Sequence, residues 1–314
     1  MRYVVTGATG FLGRALCLRL IEQGDEVVAL SRSAESARKL LDERVNCHAW
    51  LGSAPDEWKA ALNGADVVIH LAGESLGSQR WTPEFKRRLI ASRIDSTRQL
   101  VSALHDANPR PKTLVSASAV GYYGNRFDEP LTEESSAGKD FLADLCRQWE
   151  EESQRASEFD VRVVRLRIGI VLGDGGTLEK MLYPLPIPIS PWKLGFGGRL
   201  GDGRQWLPWV HIEDVVGLCL LSAQNPEAQG AINAVSPRPV SNAEFSRVLG
   251  RVLKRPAILP VPAFALRLLL GEFADVVLGG QKALPVAAQR LGYTFHYSEI
   301  EQALVNALSL NERK

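Results

Sequence analysis

The stretch 4–13 places three glycines, spaced three residues apart, between an apolar run and a segment of helical periodicity. The run 3–5 is typical of a buried strand, and 14–23 carries apolar residues at helical spacing. Strand, glycine turn and helix follow in the order that lets a backbone approach a pyrophosphate at a helix N-terminus, where free N–H groups favour anions. The spacing Gly-x-x-Gly-x-x-Gly differs by one residue from the common dinucleotide fingerprint. The residues predicted to line this turn are Gly7, Thr9, Gly10, Phe11, Leu12 and Gly13.

The tip of the next predicted strand, 26–30, indicates which dinucleotide is bound. About 20 residues past the glycines, NAD-binding chains carry an acidic residue for the ribose 2′-OH. Here Arg32 follows Ser31 instead. A guanidinium suits a 2′-phosphate, so the sequence predicts NADP, held by Ser31 and Arg32. The alternative is a solvated arginine at a strand end.

Length and composition limit the class of protein. A chain of 314 residues allows one large domain and a smaller one. With 37 basic and 36 acidic residues, no charge excess favours nucleic acid or an acidic membrane surface as partner. The longest apolar run, 257–270, is too short to span a bilayer. Four scattered cysteines indicate reduced thiols, and the chain enters a strand at once, so we expect a cytoplasmic protein without a signal peptide.

Strands and helices alternate along the first half of the chain, which predicts an α/β fold with a doubly wound parallel Rossmann sheet. After the strand 26–30 come a less regular βα segment (45–51 and a helix at 55–62), the strand 65–71, a long helix starting at Thr82-Pro83, the strand 113–118, a helix at 139–156 and the strand 161–167. Periodicity is lost from 173 to 204. We therefore expect a Rossmann domain at 1–175 with a returning segment at about 206–236, and a smaller C-terminal α/β substrate domain at 176–205 and 237–314.

The strand 65–71 runs into small residues that would let a flat cofactor lie against the backbone. The predicted cofactor contacts there are Leu71, Ala72, Gly73 and Glu74.

These stretches resemble the extended and atypical members of the short-chain dehydrogenase/reductase superfamily. Nearly the whole chain is similar to its "epimerase family protein" group. The matching motifs are Leu71-Ala72-Gly73-Glu74, Arg80-Trp81-Thr82, Ser116-Ala117-Ser118-Ala119-Val120-Gly121-Tyr122-Tyr123-Gly124, the run 197–206 and Trp209-Val210-His211-Ile212-Glu213-Asp214. The tail, from 260 to 285, resembles a small C-terminal domain of unknown function that marks the group. Members are named sugar-nucleotide epimerases, and some cyanobacterial and plastid relatives are named cell-division inhibitors. The resemblance also implies cofactor contacts at Arg93, Ser116 and Arg167.

Superfamily catalysis, as the resemblance implies, uses a Tyr-x-x-x-Lys pair on a helix, in which the lysine lowers the pKa of the tyrosine. No tyrosine here has a lysine four residues on. If Glu150 matches the glutamate that follows that lysine in the extended branch, Leu142 and Cys146 stand in the two catalytic positions.

Three hydroxyl side chains remain as candidate catalytic groups. Ser118 matches the loop serine that binds the reacting oxygen, or it is a strand-end hydroxyl satisfied by backbone. Tyr122 or Tyr123 could donate the proton, or both are packing residues. Glu74 could act as a base if desolvated, or it caps the loop.

Arg93, together with Arg80, Arg199 and Arg204 in the matching loops, favours an anionic ligand. The alternative is that these arginines pair with surface carboxylates. Two hypotheses follow. The first is an NADP(H)-dependent oxidoreductase or epimerase-like enzyme acting on a small anionic substrate, for example a nucleotide sugar. The second is a non-catalytic NADP-binding protein that senses redox state or binds a protein partner, for instance in cell division.

Overall fold

The structure, a computed structural model, describes residues 1–50, 56–183 and 190–309. Its strands are β1 (Arg2–Thr6), β2 (Glu26–Ser31), β3 (Asn46–Ala49), β4 (Val67–His70), β5 (Thr113–Ala119), β6 (Pro130–Leu131), β7 (Arg162–Ile168), β8 (Ile170–Leu172), β9 (Trp206–Leu207), β10 (Trp209–His211), β11 (Gly230–Ala234), β12 (Val240–Ser241) and β13 (Lys282–Ala283).

Its α-helices are α1 (Phe11–Glu22), α2 (Ala34–Leu40), α3 (Pro83–Ile90), α4 (Ser96–Asp106), α5 (Phe141–Gln154), α6 (Thr177–Leu182), α7 (Ile212–Gln224), α8 (Asn242–Val252), α9 (Ala263–Leu270), α10 (Phe273–Leu278), α11 (Val286–Arg290) and α12 (Ile300–Ser309). Within these described ranges no helix is both long and apolar enough to cross a membrane.

A seven-stranded sheet in the order β3-β2-β1-β4-β5-β7-β11 organises the fold, and each adjacent pair in it is parallel. The strand order reverses direction between β1 and β4. In an open parallel sheet, ligands bind beyond the carboxyl ends of the strands at this switch point. The predicted doubly wound Rossmann fold is confirmed, and the position of its ligand crevice follows from the topology.

Both faces of the sheet are buried by helices. Alternate residues of a strand point to opposite faces, and β1 shows this directly: Tyr3 and Val5 lie in one apolar core, and Val4 lies in the other. α1 and α7 pack together on the first face, and α4 and α5 pack together on the second. This double burial explains why the strands are near-continuous apolar runs in the sequence.

A further apolar core lies outside the sheet. It is formed by residues of β8–β10 and of the helices α6, α8 and α12, among them Leu178, Trp209, Phe245 and Leu304. β9 pairs with β12, and β10 pairs with β8. Most of its residues lie in the smaller domain predicted at 176–205 and 237–314, but Leu172, Leu207 and Trp209 come from the segments assigned to the Rossmann domain, so we propose that this core joins the two.

Capping residues in the sequence correctly predicted where two of the helices begin. Thr82 caps α3 by accepting a hydrogen bond from the Phe85 amide at 3.2 Å, and Ser241 caps α8 through the Glu244 amide at the same distance. The single long helix predicted after Thr82 is instead α3 and α4, separated by a π-helical turn at Ala91–Asp95. The irregular third unit is β3 followed by a 3-10 helix at Asp56–Leu62. Its predicted parts at 51 and 55 lie outside the described residues.

Candidate functional site: a dinucleotide crevice at the carboxyl edge of the sheet

The glycine turn after β1 is packed so tightly that side chains are excluded. Gly7 has a φ of +67°, and a Cβ atom there would lie 2.7 Å from the Leu71 carbonyl carbon. A Cβ atom on Gly13 would lie 2.3 Å from the Gly7 carbonyl oxygen. Gly10 is the N-cap of α1, and no side chain caps this helix. The turn therefore leaves the positive N-terminal end of α1 open to an anion, as the glycine pattern predicted.

The opposite wall of the crevice is the loop 71–74 after β4, and Thr6 joins it to β1. The Thr6 hydroxyl oxygen accepts hydrogen bonds from the Leu71 and Ala72 amides at 3.2 and 3.3 Å. It also lies 2.7 Å from His70 Nδ1, and His70 Nε2 lies 2.9 Å from the Thr97 hydroxyl. His70 is fully buried, and burial lowers its pKa to about 3. A neutral imidazole thus connects the two walls with α4.

Arg32 extends from the end of β2 into solvent. Its side chain is exposed, and it forms no ion pair with any carboxylate in the part of the chain that the structure describes. The neighbouring Ser33 caps α2, and the Ser31 carbonyl accepts the Trp50 amide at 2.7 Å. Since β2 adjoins β1 in the sheet, Arg32 lies on the side of the glycine turn where an adenosine ribose is held in this fold.

Arg93 lies under the loop 71–74. One of its terminal nitrogens donates to the Glu74 carbonyl oxygen at 2.9 Å, and a Cβ on Gly73 would lie 3.3 Å from its Cζ atom. Burial lowers the pKa of Arg93, and no carboxylate within the described ranges pairs with it. The side chain of Glu74 points elsewhere, because it forms an ion pair with Arg88 at 2.9 Å. Glu74 is therefore not the desolvated base that one of the sequence alternatives required.

The two positions where the resemblance implies the Tyr and Lys pair, Leu142 and Cys146, are apolar and buried. Leu142 is 8% exposed and packs against Gly121, where a Cβ would lie 2.6 Å from a Leu142 methyl carbon. Cys146 is 1% exposed, and desolvation raises the pKa of its thiol to about 12. Neither residue can donate or accept a proton near neutral pH.

Ser118 lies in a buried polar network next to these positions. Its hydroxyl donates to Glu150 Oε1 at 2.7 Å. Arg167 donates to the two oxygens of Glu150 from Nε at 2.8 Å and from a terminal nitrogen at 2.9 Å. Both charged side chains are 4% exposed. Burial alone lowers the pKa of Arg167, but the hydrogen bonds and charge of Glu150 outweigh this and hold that pKa above its usual value.

The network continues to Tyr123. Arg167 donates to the Tyr123 hydroxyl at 2.9 Å, and that hydroxyl donates to Asn233 Oδ1 at 2.6 Å. Tyr123 is fully buried, and burial raises its pKa to about 12. The geometry thus favours the packing alternative for Tyr123. Arg167 likewise lies in the interior with its donors engaged by protein acceptors, which does not support its predicted contact with a cofactor.

Tyr122 and Ser116 differ in exposure. Tyr122 is half-buried, with the Arg167 Cζ atom 3.5 Å from its ring centroid, and it lines a groove of about 420 Å³ beside α5. Ser116 is 1% exposed, and its hydroxyl donates to the Ala117 carbonyl oxygen at 3.3 Å. Its side chain therefore faces the protein interior.

Comparison with known proteins agrees with this geometry. A model of the NAD dependent epimerase/dehydratase family matches residues 3–235, and a domain of unknown function, DUF1731, matches residues 261–307. The chain belongs to the NAD dependent epimerase/dehydratase family. It is 43% identical over 307 residues to the chloroplastic "Epimerase family protein SDR39U1 homolog" of Arabidopsis thaliana, covering 97% of this chain and 86% of that protein. It is 38% identical to Bacillus subtilis "Epimerase family protein YfhF", covering 97% of both.

Two solved structures are also similar. A crystal structure of the human epimerase family protein SDR39U1 with NADPH superposes with a TM-score of 0.87 at 32% identity, covering 98% of this chain and 99% of that one. The nucleoside-diphosphate sugar epimerase from Corynebacterium glutamicum has a TM-score of 0.76 at 32% identity, covering 99% of this chain and 58% of that one. The resemblance to the epimerase family protein group, stated from the motifs, is confirmed.

The residues of this crevice fit the dinucleotide of an epimerase/dehydratase family member. A Cβ atom at Gly7 or Gly13 would fill the space in the glycine turn before α1, and the uncapped N-terminus of α1 faces that space.

The sequence did not reveal the residues that complete the buried polar network. Among them is Glu133, which accepts hydrogen bonds from the Asn233 and Ala287 amides at 2.9 and 3.1 Å. No local pattern marks these contacts, because they join segments about 100 or more residues apart.

Proposed function

We propose that this chain is an NADP(H)-binding oxidoreductase or epimerase-like enzyme that acts on a small anionic substrate, for which a nucleotide sugar is the leading class. The observation that carries the proposal is the tight glycine turn at the open N-terminal end of α1, with the exposed Arg32, which pairs with no carboxylate of the described residues, beside it. When bound, the cofactor supplies hydride chemistry, and the chain supplies position, exclusion of water and a proton route.

In this proposal Gly10, Phe11 and Leu12 at the N-terminus of α1 would hold the diphosphate. Ser31 and Arg32 would hold the 2′-phosphate, because a guanidinium presents a planar fork of donors to phosphate. The human relative crystallised with NADPH supports this choice over NAD. The small residues of the loop 71–74 would let the flat cofactor lie against the backbone there.

The anionic substrate is proposed from Arg93. This partly buried guanidinium donates to protein carbonyls and has no carboxylate partner among the described residues, so its charge is available to a ligand. The Corynebacterium glutamicum relative that is named a nucleoside-diphosphate sugar epimerase supports a phosphate-bearing sugar.

The proton route must differ from that of the superfamily, since Leu142 and Cys146 stand where the resemblance implies the acid/base pair. Ser118 already donates to Glu150. We therefore propose Tyr122 as the proton donor, because it is the partly exposed phenol of this loop. Replacing Tyr122 by phenylalanine should lower kcat while leaving the Kd for NADPH unchanged.

The second candidate, a non-catalytic NADP(H)-binding protein that responds to redox state or binds a protein partner, is favoured by the same two apolar positions. A crevice that lacks an acid/base pair can still bind NADP(H), but it lacks the groups that would transfer a proton to or from a substrate.

The experiment that separates the two candidates follows NADPH absorbance across a panel of carbonyl compounds and sugar nucleotides, with an affinity column run in parallel. The enzyme proposal predicts consumption of NADPH, or interconversion of a sugar nucleotide, with at least one member. If neither is seen and the column retains a partner protein only when NADPH is present, the regulatory proposal replaces it.

A further inference from the structure

A lysine from the second half of the chain contacts one wall of the crevice assigned to the cofactor. Lys180 lies in α6, and its ammonium nitrogen is 3.3 Å from the Ser75 hydroxyl oxygen. Ser75 directly follows the loop 71–74. Lys180 therefore connects α6 with the wall of the crevice that faces the glycine turn.

The chain just before α6 is packed against the other wall. A Cβ on Gly173 would lie 2.8 Å from the Phe11 ring, and a Cβ on Gly176 would lie 2.4 Å from it. Phe11 is the first residue of α1, where the diphosphate is proposed to bind. The segment before α6 thus contacts Phe11 on one wall, and Lys180 of α6 contacts Ser75 beside the other, so α6 joins the two walls of the crevice.

Lys180 has no carboxylate partner in the part of the chain that the structure describes, and its hydrogen-bond partner is the neutral Ser75 hydroxyl. Other lysines of this chain do have carboxylate partners: Lys39 pairs with Glu35 at 2.7 Å, and Lys86 pairs with Glu272 at 2.5 Å. An unpaired ammonium beside an open helix N-terminus adds to the attraction of that site for an anion.

We propose that Lys180 contacts the diphosphate of the bound dinucleotide and holds α6 over it. This inference rests on the proposed function, because it requires NADP(H) with its diphosphate at the N-terminus of α1. The diphosphate is common to NADPH and NADH, so Lys180 contributes to the affinity for both. Arg32, by contrast, would contact the 2′-phosphate, so it contributes to the affinity for NADPH alone.

The test is the Kd of the full-length protein for NADPH and for NADH, measured by nucleotide fluorescence at low and at high salt. Lys180→Gln should weaken both nucleotides by a similar factor, about five- to tenfold at low salt, and the factor should shrink as salt rises. Lys180→Arg should retain most of the affinity.

Lys112 provides a matched control. It is exposed, and it directly precedes β5, at the edge of the sheet opposite the crevice. Lys112→Gln should bind both nucleotides as the wild type does, and equal melting temperatures for the two glutamine variants would show that neither has lost its fold.

Three results would overturn the inference. If Lys180→Gln binds both nucleotides with wild-type affinity, Lys180 does not contact the diphosphate. If it weakens NADPH but not NADH, Lys180 contacts the 2′-phosphate instead. If the wild-type protein binds neither nucleotide, the proposed function fails and this inference fails with it, an outcome distinguishable from the other two.

Discussion

Replacing Glu150 by glutamine should destabilise the protein strongly, because it leaves the Arg167 guanidinium buried without its counter-charge. Glu150 and Arg167 are both 4% exposed and are joined by two hydrogen bonds of 2.8 and 2.9 Å. Removing one partner of a buried pair typically costs about 3–5 kcal/mol. Glutamine keeps one acceptor oxygen for Arg167 or for Ser118, so we expect about 3 kcal/mol for Glu150→Gln.

The free energy of unfolding would be measured by urea denaturation followed by circular dichroism. Glu151→Gln is the matched control on the same helix, since Glu151 pairs with Arg147 at the surface with 60% of its side chain exposed. This control should leave the free energy of unfolding nearly unchanged. The double variant Glu150→Leu with Arg167→Met should recover part of the loss, because the buried Arg167 charge is removed together with its partner, while Arg165, which lies 3.7 Å from Glu150, keeps 23% of its side chain in contact with solvent. If Glu150→Gln costs no more than Glu151→Gln, the network is not the stabilising element that we describe.

Three further predictions follow from the site. Gly13→Ala should abolish nucleotide binding and lower the melting temperature, since the alanine Cβ would lie 2.3 Å from the Gly7 carbonyl oxygen. A variant that binds NADPH with normal affinity would contradict the claim that the glycine turn has no room for a side chain. Burial lowers the pKa of His70 to about 3, so only the unfolded chain takes up this proton below its ordinary pKa of about 6.5. The contribution of His70 to the free energy of unfolding is therefore fully present above pH 6.5 and decreases as the pH falls toward 3. The decrease at pH 5 is about 2 kcal/mol. His70→Gln should flatten this part of the urea-denaturation profile between pH 7.5 and pH 5, and a profile as steep as that of the wild type would refute the assignment. The four cysteines are all buried, and desolvation raises the pKa of Cys146 to about 12. The native protein should therefore resist a thiol reagent that modifies all four cysteines after denaturation. Rapid labelling of Cys146 in the native protein would contradict this, because it would show that the thiol is accessible.

The sequence predicted what local pattern and chain order determine. Apolar runs located the sheet strands because both faces of this sheet are covered, and the hydroxyl residues Thr82 and Ser241 located two helix starts because each caps its helix. The first helix begins at Phe11, three residues before the apolar periodicity becomes visible at 14, because the glycine turn itself forms its first turn.

The sequence could not predict which polar side chains meet inside the protein. Ser118 and Tyr123 looked like neighbours of a substrate, yet both are hydrogen-bonded to residues from other elements, Glu150 and Asn233. The π-helical turn at Ala91–Asp95 leaves only a weak sign in the sequence, since the buried residues Leu89 and Ile94 are five residues apart instead of three or four. Tertiary contacts rather than local preference decide these features.

The most direct measurement of the central claim is a titration of the wild type and of Arg32→Ala with NADPH and with NADH. The account predicts that the wild type binds NADPH more tightly than NADH, and that Arg32→Ala raises the Kd for NADPH by about tenfold or more while leaving the Kd for NADH nearly unchanged. Equal loss of both nucleotides, or no loss of either, would contradict the assignment of Arg32 to the 2′-phosphate and of NADP(H) to this crevice.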